Sequence, residues 1–384
     1  MKTRLTLALV AAAALLTAGL ATGGAVFLLG AALLTLLTLS SLVAVCWAAR
    51  TMETQVELSA RTVRRGDSVT LTVRARHQGW LPIAPVTLTL SATPDVPETQ
   101  VALRDAPGKS QCLTMPFHAS HVGVCAPGVT RCQVEDVLGL FSRVIVPARN
   151  GGELTVLPMT FPVDPLTFAP GESGSEEMAR ATEDITNPSD VRSYQPGDAM
   201  KKIHWKLSLR KRELMVRRFE EPILPDGLIL LDCSPPPSWG HPEAEADVRD
   251  ALLETAASVM AQELGASHAI RLPLRGEHPV ELEKHLGMPL VLENLARVDF
   301  SETDRFERVL LLETRRMRRT GATVVISARL SGSMVDVMTR MRRMGPTLRL
   351  YLVTFTPDAP QLAPMIGRLQ QAEIEVCYVT PVPA

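Results

Sequence analysis

The sequence predicts a multidomain protein that combines a helical membrane hairpin, a β-sandwich and a doubly wound α/β domain. Three patterns carry this prediction: a long uncharged N-terminal run, a region of short alternating strands, and a C-terminal half in which strands and helices alternate. A chain of 384 residues is long enough for such a division. The predicted boundaries are 1–50 for the hairpin, 51–160 for the sandwich, 161–222 for a linker with a distinctive motif, and 223–384 for the α/β domain.

The N-terminal run carries no charged residue between Leu5 and Ala49. It is long enough for two membrane-spanning helices of ~20 residues each. Gly23 and Gly24 mark a turn in its middle, which favours a two-span hairpin. The alternative is a signal peptide over the first ~22 residues, and the second apolar run would still anchor the chain after cleavage.

The charges that flank the two spans predict the orientation. Lys2 and Arg4 precede the first span, Arg50 follows the second, and the turn between them is uncharged. The positive-inside rule then places both ends in the cytoplasm. We therefore expect a protein of the inner (plasma) membrane, in contact with the lipid bilayer, whose soluble domains face the cytoplasm. Cleavage of the first span would reverse this orientation.

The region that follows the hairpin has the period-two pattern of β-strands. Val56–Ala60, Val69–Val73 and Val86–Leu90 alternate apolar and polar residues, which is typical of antiparallel strands with one buried face. Leu154–Leu157 is predicted as the last strand. Several short strands at this spacing favour a small sandwich of immunoglobulin-like type.

A short run near the end of the β-region predicts a tight corner. Gly139 supplies a positive φ in this prediction, and Leu138, Leu140 and Phe141 are expected to bury around it.

Composition excludes several classes of function. The 40 Lys and Arg residues nearly balance the 41 Asp and Glu residues, and a net charge of −1 gives no overall field for nucleic acid. The six cysteines contain no C-x-x-C pair, which argues against zinc or redox chemistry and favours reduced, buried thiols. No phosphate-binding loop, dinucleotide fingerprint, zinc-protease motif or nucleophile elbow occurs. A non-enzymatic interaction protein is therefore our first expectation.

Residues 191–221, which we call the 191–221 motif, are the densest run of polar, aromatic and turn-forming residues. Pro196 and Gly197 fit a type II turn, and Asp198 is predicted to cap a short helix. Met200, Ile203 and Leu207 recur at helical spacing and predict the apolar face of that helix.

Two functions remain open for the 191–221 motif. Its nine basic and four acidic residues favour a docking surface for an acidic partner, a phosphate or an anionic membrane. Alternatively the motif is a latch between domains, in which Arg192 pairs with Asp198 and Trp205 fills the joint. His204 is a lone histidine without a nucleophile beside it, so we expect a surface or hydrogen-bonded role.

The C-terminal region alternates strands with helices. Leu228–Leu231 is a continuous apolar strand that ends at Asp232, and the helix predicted over Glu243–Leu264 follows it. This alternation indicates a doubly wound sheet. Because ligands bind such sheets at the carboxyl ends of the strands, Asp232 and Ser234 are candidate site residues.

The 191–221 motif resembles the signature of the bacterial family called domain of unknown function 58. That signature is Arg-x-Tyr-x-Pro-Gly-Asp, then Ile-Asp-Trp, then Ser-Ala-Arg. The matching positions, which form the candidate docking motif, are Arg192, Tyr194, Pro196, Gly197, Asp198, Ile203, Trp205, Ser208 and Arg210. The run that begins at Asp136 also resembles the family's Asp-Pro-Leu-Gly-Leu-Phe. The chain departs from the family at His204, which replaces an acid, at Leu209, which replaces Ala, and at Val137, which replaces Pro.

The resemblance implies a von Willebrand factor A-like α/β domain and a partner of the MoxR-type AAA+ ATPase class. The implied function is a membrane-anchored adaptor that helps to assemble or activate other complexes. Many von Willebrand factor A-like domains hold Mg²⁺ through Asp-x-Ser-x-Ser. Asp232 and Ser234 match that pattern, whereas Pro236 replaces its second serine.

Two other functions therefore stay open. One is a metal-dependent ligand-binding protein or enzyme centred on Asp232 and the Arg192–Arg210 segment, with Mg²⁺ as its cofactor. If no metal binds there, we expect the Asp232 carboxylate to accept hydrogen bonds from N–H groups of its own loop. The other is a structural envelope protein with an external body. The sequence indicates neither the client nor the oligomeric state.

Overall fold

The structure is a computed structural model that describes residues 2–77, 84, 86–91, 99–103, 110–147, 152–168, 190–195, 200, 203–218, 226–238, 242–266, 268, 270–274, 287–301, 305–315 and 320–383. The chain divides into two compact units, Met1–Leu157 and Pro158–Pro383.

The first unit begins with two apolar helices, α1 (Lys2–Thr22) and α2 (Ala25–Thr51). Both are long and apolar enough to cross a membrane, as the uncharged run predicts. The turn between them contains Gly23 in a left-handed conformation, with φ of 68°. The helices approach closely at Gly19, where an added Cβ would lie 2.8 Å from the side chain of Leu28.

Among the described residues, ten strands follow the hairpin and form three sheets, with orders β1-β3-β6, β5-β4-β8-β9 and β2-β10-β7. Their bounds are β1 Met52–Leu58, β2 Thr62–Arg64, β3 Ser68–His77, β4 Val86–Ser91, β5 Thr99–Leu103, β6 Ser110–His118, β7 Gly123–Cys125, β8 Gly128–Glu135, β9 Ser142–Ile145 and β10 Leu154–Leu157. The three strands predicted by alternation and the predicted last strand, Leu154–Leu157, are all present. The parallel pairing of β10 with β2 is a difference from the predicted antiparallel arrangement.

The first two sheets share one hydrophobic core. Val56 and Val73 from one sheet are buried in the same cluster as Leu88 and Val134 from the other. Ala48 of α2 is fully buried in that cluster too. The end of the second apolar helix is therefore part of the core of the β-region.

The second unit is built on a five-stranded, wholly parallel sheet of order β14-β13-β15-β16-β17, beside a two-stranded pair of β11 with β12. The strands are β11 Asp190–Ser193, β12 Met215–Arg218, β13 Asp226–Leu231, β14 Ile270–Arg271, β15 Thr320–Ser327, β16 Thr347–Val353 and β17 Glu375–Val379. The helices are α3 Trp205–Lys211, α4 Pro242–Gly265, α5 Met288–Ala296, α6 Phe306–Thr314, α7 Gly332–Arg342 and α8 Ala363–Gln371.

Helices cover this parallel sheet in the manner expected of a doubly wound fold. Leu228 and Leu230 of β13 share a buried cluster with residues of α6, α7 and α8. Ile229 lies between them and faces the opposite side of the sheet, since side chains alternate along a strand. Helix α4 packs on the sheet without joining that cluster. The strand order places the topological switch point between β13 and β15.

Several elements of the second unit differ from their predicted bounds. The sequence predicts a helix from Ser301, as its N-cap, to Arg319, before Gly321. In the structure this helix begins at Phe306 and ends at Thr314, while residues 302–304 and 316–319 lie outside the described residues. The sequence also predicts a strand over Ala269–Leu274, and the structure has a strand of two residues, Ile270–Arg271. Helix α5 was not predicted, although Pro289 in its first turn is a typical start signal.

The first part of the predicted linker is held against helix α4. The backbone N–H of Phe161 donates to Ser258 Oγ at 2.9 Å, and that of Leu166 donates to Glu263 Oε1 at 2.8 Å. Arg349 of β16 donates to the carbonyl oxygen of Asp164 at 2.7 Å. Residues 158–168 are therefore a strap that is hydrogen-bonded to the α/β unit, although most of its side chains are exposed, and the rest of the linker to residue 189 lies outside the described residues.

Hydrogen bonds at the start of α7 generate a prediction about pH. Ser331 caps this helix by accepting from the Met334 N–H, and its hydroxyl donates to Glu307 Oε1 at 2.6 Å. This bond from Ser331, with a second from Ser333, lowers the pKa of Glu307 below its usual value of 4.5. A depressed pKa stabilises the fold above the usual value, and that contribution is lost as the pH falls through the folded-state pKa.

We therefore expect Glu307→Gln to lower the free energy of unfolding by about 1 kcal/mol at pH 7, a value kept small because the carboxylate is largely solvated. Urea unfolding at pH 7 and at pH below 4 measures the effect, and the difference from wild type should shrink at the lower pH. Glu293→Gln on α5 is the matched control. An undiminished Glu307→Gln defect at low pH would refute the electrostatic cause.

Candidate functional site

The 191–221 motif folds around the pairing of β11 with β12. Asp190–Ser193 pairs antiparallel with Met215–Arg218, and α3 lies between the two strands in the chain. Tyr194 continues the pairing, since its N–H donates to the Leu214 carbonyl at 2.8 Å. Ile203 forms a bridge with Val216 just before α3 begins.

Ser208 fastens helix α3 to strand β12. It is buried, its hydroxyl donates to the His204 carbonyl at 3.0 Å, and it accepts from the Met215 N–H at 2.9 Å. The hydroxyl thus satisfies backbone groups of both elements, which a buried alanine would leave unpaired. Ser208 has a structural role here, as does the buried Ile203.

His204 is the N-cap of helix α3. Its side-chain Nδ1 accepts from the Leu207 N–H at 3.3 Å, and the backbone N–H of His204 donates to the Met215 carbonyl at 2.8 Å. The DUF58 signature has an Asp where this chain has His204, and an Asp side chain is a strong N-cap acceptor. Either residue can therefore accept a hydrogen bond from the first turn of the helix. The sequence predicts a surface or hydrogen-bonded role for His204, and the structure shows the hydrogen-bonded one.

The helix differs from its predicted form in one respect. Met200 and Ile203 precede α3 instead of lying on it, so the predicted apolar face of Met200, Ile203 and Leu207 is wrong. The bridge to Val216 holds Ile203 in extended backbone, and tertiary pairing thereby overrides the local helical spacing. Asp198, predicted as the cap, lies outside the described residues, together with Pro196 and Gly197.

The outer face of α3 carries large apolar side chains in solvent. Trp205 is 58% exposed and Leu209, one turn later, is 79% exposed. Residues four apart lie on one face of a helix, and the exposed cations Lys206 and Arg210 follow them directly in the chain. An exposed apolar face of this kind is what the docking alternative requires. The side chain of Arg192 is not among those described, so its pairing with Asp198 remains a prediction.

A second cluster of functional interest lies at the switch point of the parallel sheet. Asp232 follows β13 and is buried, and its Oδ2 accepts from Ser327 Oγ at 2.6 Å. Its Oδ1 accepts from the Ser234 N–H at 3.1 Å and from the Ser234 hydroxyl. Sequence reasoning missed Ser327, whose only signal is a polar residue at the end of the apolar run of β15.

Among the described residues, one carboxylate and two hydroxyls lie together at Asp232. Mg²⁺ takes octahedral oxygen coordination and usually keeps several waters, so these three groups would supply only part of its shell. Ser327 Oγ also accepts from the Arg329 N–H at 3.0 Å, and the Arg329 guanidinium donates to the carbonyl oxygen of Pro235. A cation thus already lies in this loop, and the carboxylate has three donors of its own. The geometry fits the alternative in which Asp232 is satisfied locally.

The six cysteines are thiols, with no disulfide between them. Burial raises the pKa of Cys125 and of Cys132 to about 11, so both thiols stay protonated at neutral pH. Cys112 is exposed, which differs from the expectation that every cysteine is buried.

Comparison with known sequences places the second unit beside one family. Residues 190–377 match the family described as "Protein of unknown function DUF58". The match supports the resemblance carried by the 191–221 motif and extends across most of the α/β unit. The sequence matches no curated protein.

Comparison with solved structures finds only distant likeness. A β-glucosidase from Listeria innocua is 14% identical, with a TM-score of 0.15, and the alignment covers 27% of this chain and 16% of that one. Spo0M, a sporulation control protein from Bacillus subtilis, is 15% identical, with a TM-score of 0.17 and coverage of 38% and 58%. Cwp6 from Clostridium difficile is 8% identical, with a TM-score of 0.20 and coverage of 86% and 53%. The chain thus spans less than two thirds of each of these structures. Their TM-scores are too low to indicate a shared fold or function.

The capping role of His204 generates a prediction about stability. We expect His204→Asp to keep or raise the free energy of unfolding, because a carboxylate is a better N-cap acceptor and favours the positive end of the helix. His204→Ala should lower it by about 1 kcal/mol. Chemical denaturation of the three proteins side by side measures both effects. Equal loss in the Asp and Ala variants would show that the imidazole does something other than capping.

Proposed function

We propose that this protein is a membrane-tethered, non-enzymatic adaptor that docks an acidic protein partner through the outer face of α3. The observation that carries the proposal is the exposure of Trp205 and Leu209 on one helix face, with Lys206 and Arg210 beside them. Buried aromatic anchors surrounded by polar residues dominate many protein interfaces. The basic neighbours complement an acidic surface and steer its approach.

The family resemblance names the class of partner. We propose a MoxR-type AAA+ ATPase, with which this chain would assemble or activate other complexes. The match of residues 190–377 to DUF58 supports the family resemblance from which this choice is taken. Within the described part of the motif, Ile203 and Ser208 stabilise the local fold and leave Trp205, Leu209 and Arg210 free to face a partner.

The finer architecture follows from the same resemblance. We propose an immunoglobulin-like sandwich for the β-region, supported by the core shared between two of its sheets. We propose a von Willebrand factor A-like α/β domain, supported by the five parallel strands and their helices. Lys2, Arg4 and Arg50 support an orientation in which both bodies face the cytoplasm.

A pull-down from detergent-solubilised membranes tests the docking proposal. The intact protein is captured and its companions are identified by mass spectrometry, beside a Trp205→Ala, Leu209→Ala double variant. We expect an AAA+ ATPase with the wild type and at least a tenfold loss with the variant, because truncation of a hot-spot residue costs about 2 kcal/mol or more.

Matched variants make this result specific. Leu290→Ala removes an exposed leucine from α5 and should keep the ATPase. Lys206→Glu with Arg210→Glu should lose it if the partner surface is acidic. An ATPase that stays bound to a folded Trp205→Ala, Leu209→Ala variant would overturn docking at α3, and the lack of any ATPase with the wild type would overturn the choice of partner.

The alternative function, a metal-dependent ligand binder or enzyme centred on Asp232, has its own test. Because the Asp232 carboxylate is already satisfied, we expect the melting temperature to be the same in Mg²⁺ and in a chelator. Asp232→Ala should lower the melting temperature in both conditions, since the Ser327 and Ser234 hydroxyls lose their acceptor. Stabilisation by Mg²⁺ that vanishes in Asp232→Ala would instead favour the metal-dependent alternative.

A further inference from the structure

The turn formed by Asp136–Phe141, which we call the 136–141 turn, is fixed by the carboxylate of Asp136. Asp136 Oδ1 accepts from the Phe141 N–H at 2.7 Å, and Oδ2 accepts from the Leu138 N–H at 3.2 Å. Gly139 has a φ of 65° and donates its N–H to the Asp136 carbonyl. The chain is thus closed into a tight turn with a positive-φ glycine, as the sequence predicts.

The same carboxylate joins this turn to the apolar hairpin. The hydroxyl of Ser41 on α2 donates to Asp136 Oδ2, and both residues are buried. Arg4 of α1 also contacts the turn. Its Nη1 atom lies 2.7 Å from the position that a Cβ on Gly139 would occupy. The 136–141 turn therefore lies against both helices of the hairpin at one level.

That level corresponds to the edge of a bilayer. Beyond Ser41, helix α2 buries Ala44, Val45 and Ala48 within the first unit, while Leu42, Val43 and Trp47 stay exposed. The stretch from Ala25 to Ser40 rises about 24 Å at the α-helical pitch, which is slightly less than the ~30 Å hydrocarbon core. The bilayer boundary must therefore reach the level of Ser41.

The apolar side chains of the turn point into solvent at this level. Val137 is 63% exposed and Leu138 is 45% exposed, so the expectation that Leu138 buries around Gly139 is wrong. The hydrogen bonds of Asp136 account for this, because they satisfy the backbone of the turn without help from a buried leucine. The exposed Val144 of the neighbouring strand β9 extends the apolar surface.

We propose that the 136–141 turn is a third membrane contact, in which Val137 and Leu138 insert at the boundary between headgroups and acyl chains. The surface continues the exposed leucines of the hairpin, and Arg4 beside it suits anionic lipid headgroups. The occupant is therefore the lipid surface, and the insertion sets the height and tilt of the β-region above the bilayer. The inference rests on the membrane tethering of the proposed function.

Tryptophan fluorescence in brominated bilayers tests the inference on the intact protein. Each variant adds a fifth tryptophan to the four of the wild type, whose signal is subtracted. Val137→Trp is the test position. We expect bilayers of phosphatidylcholine and phosphatidylglycerol that are brominated near the headgroups to remove most of its added fluorescence, and bilayers brominated at their centre to remove less.

Two control positions separate the possible causes. Val124→Trp also substitutes an exposed valine. Val124 precedes strand β8 and Val137 follows it, and the eight residues of this strand separate its two ends by ~25 Å. A tryptophan at position 124 should therefore not be quenched. Leu33→Trp lies in the middle of the stretch from Ala25 to Ser40, is exposed, and should be quenched by bromine at the bilayer centre.

The outcomes distinguish this inference from the tethering on which it rests. If Leu33→Trp is quenched and Val137→Trp is not, tethering stands and the third contact is overturned. Equal quenching of Val124→Trp and Val137→Trp would also overturn it, because contact would not be specific to the turn. If Leu33→Trp is not quenched, membrane tethering itself fails, and the inference fails with it.

Discussion

The direct continuation of helix α2 into strand β1 constrains the whole first unit. Helix α2 ends at Thr51 and β1 begins at Met52, so no linker separates the apolar hairpin from the β-region. Ala48 is buried in the same core as Val73 and Leu88. A rotation of the β-region against the helix would expose that core, so the two move as one body. The orientation of the hairpin in a bilayer therefore sets the orientation of the β-region, which explains how a turn as small as 136–141 can be aligned with a membrane surface.

The 191–221 motif shows a division between residues that shape it and residues that face outward. Ser208, His204 and Ile203 use their polar atoms or their apolar surface to hold α3 against β12. Trp205 and Leu209 contribute little to that packing, and a chain gains no stability from leaving an indole in solvent. An exposed aromatic on a helix that its neighbours hold in place is preorganised for contact, which lowers the entropy lost on association.

The elements with strong periodicity could be predicted from the sequence, whereas the contacts between distant residues could not. Alternation located the strands at Val69 and Val86, and helical spacing located α4, because the burial of one face leaves a local pattern. The pairs Ser41 with Asp136 and Ser327 with Asp232 leave no such pattern, since each joins residues 95 positions apart. The spacing of Met200 and Ile203 gave the wrong element, because pairing with Val216 decided the backbone of Ile203.

The two candidate sites, Asp232 and the outer face of α3, differ in the free-energy cost of binding a ligand or partner. At Asp232 both oxygens of the carboxylate accept hydrogen bonds within the protein, from the Ser234 and Ser327 hydroxyls. A ligand that binds the carboxylate has to compete with these donors, and replacing their hydrogen bonds costs free energy. At α3 the exposed indole of Trp205 has only water to lose, and its burial by a partner is favourable from the start. The balance of these two costs favours an interaction surface over a metal-dependent site as the working part of this chain.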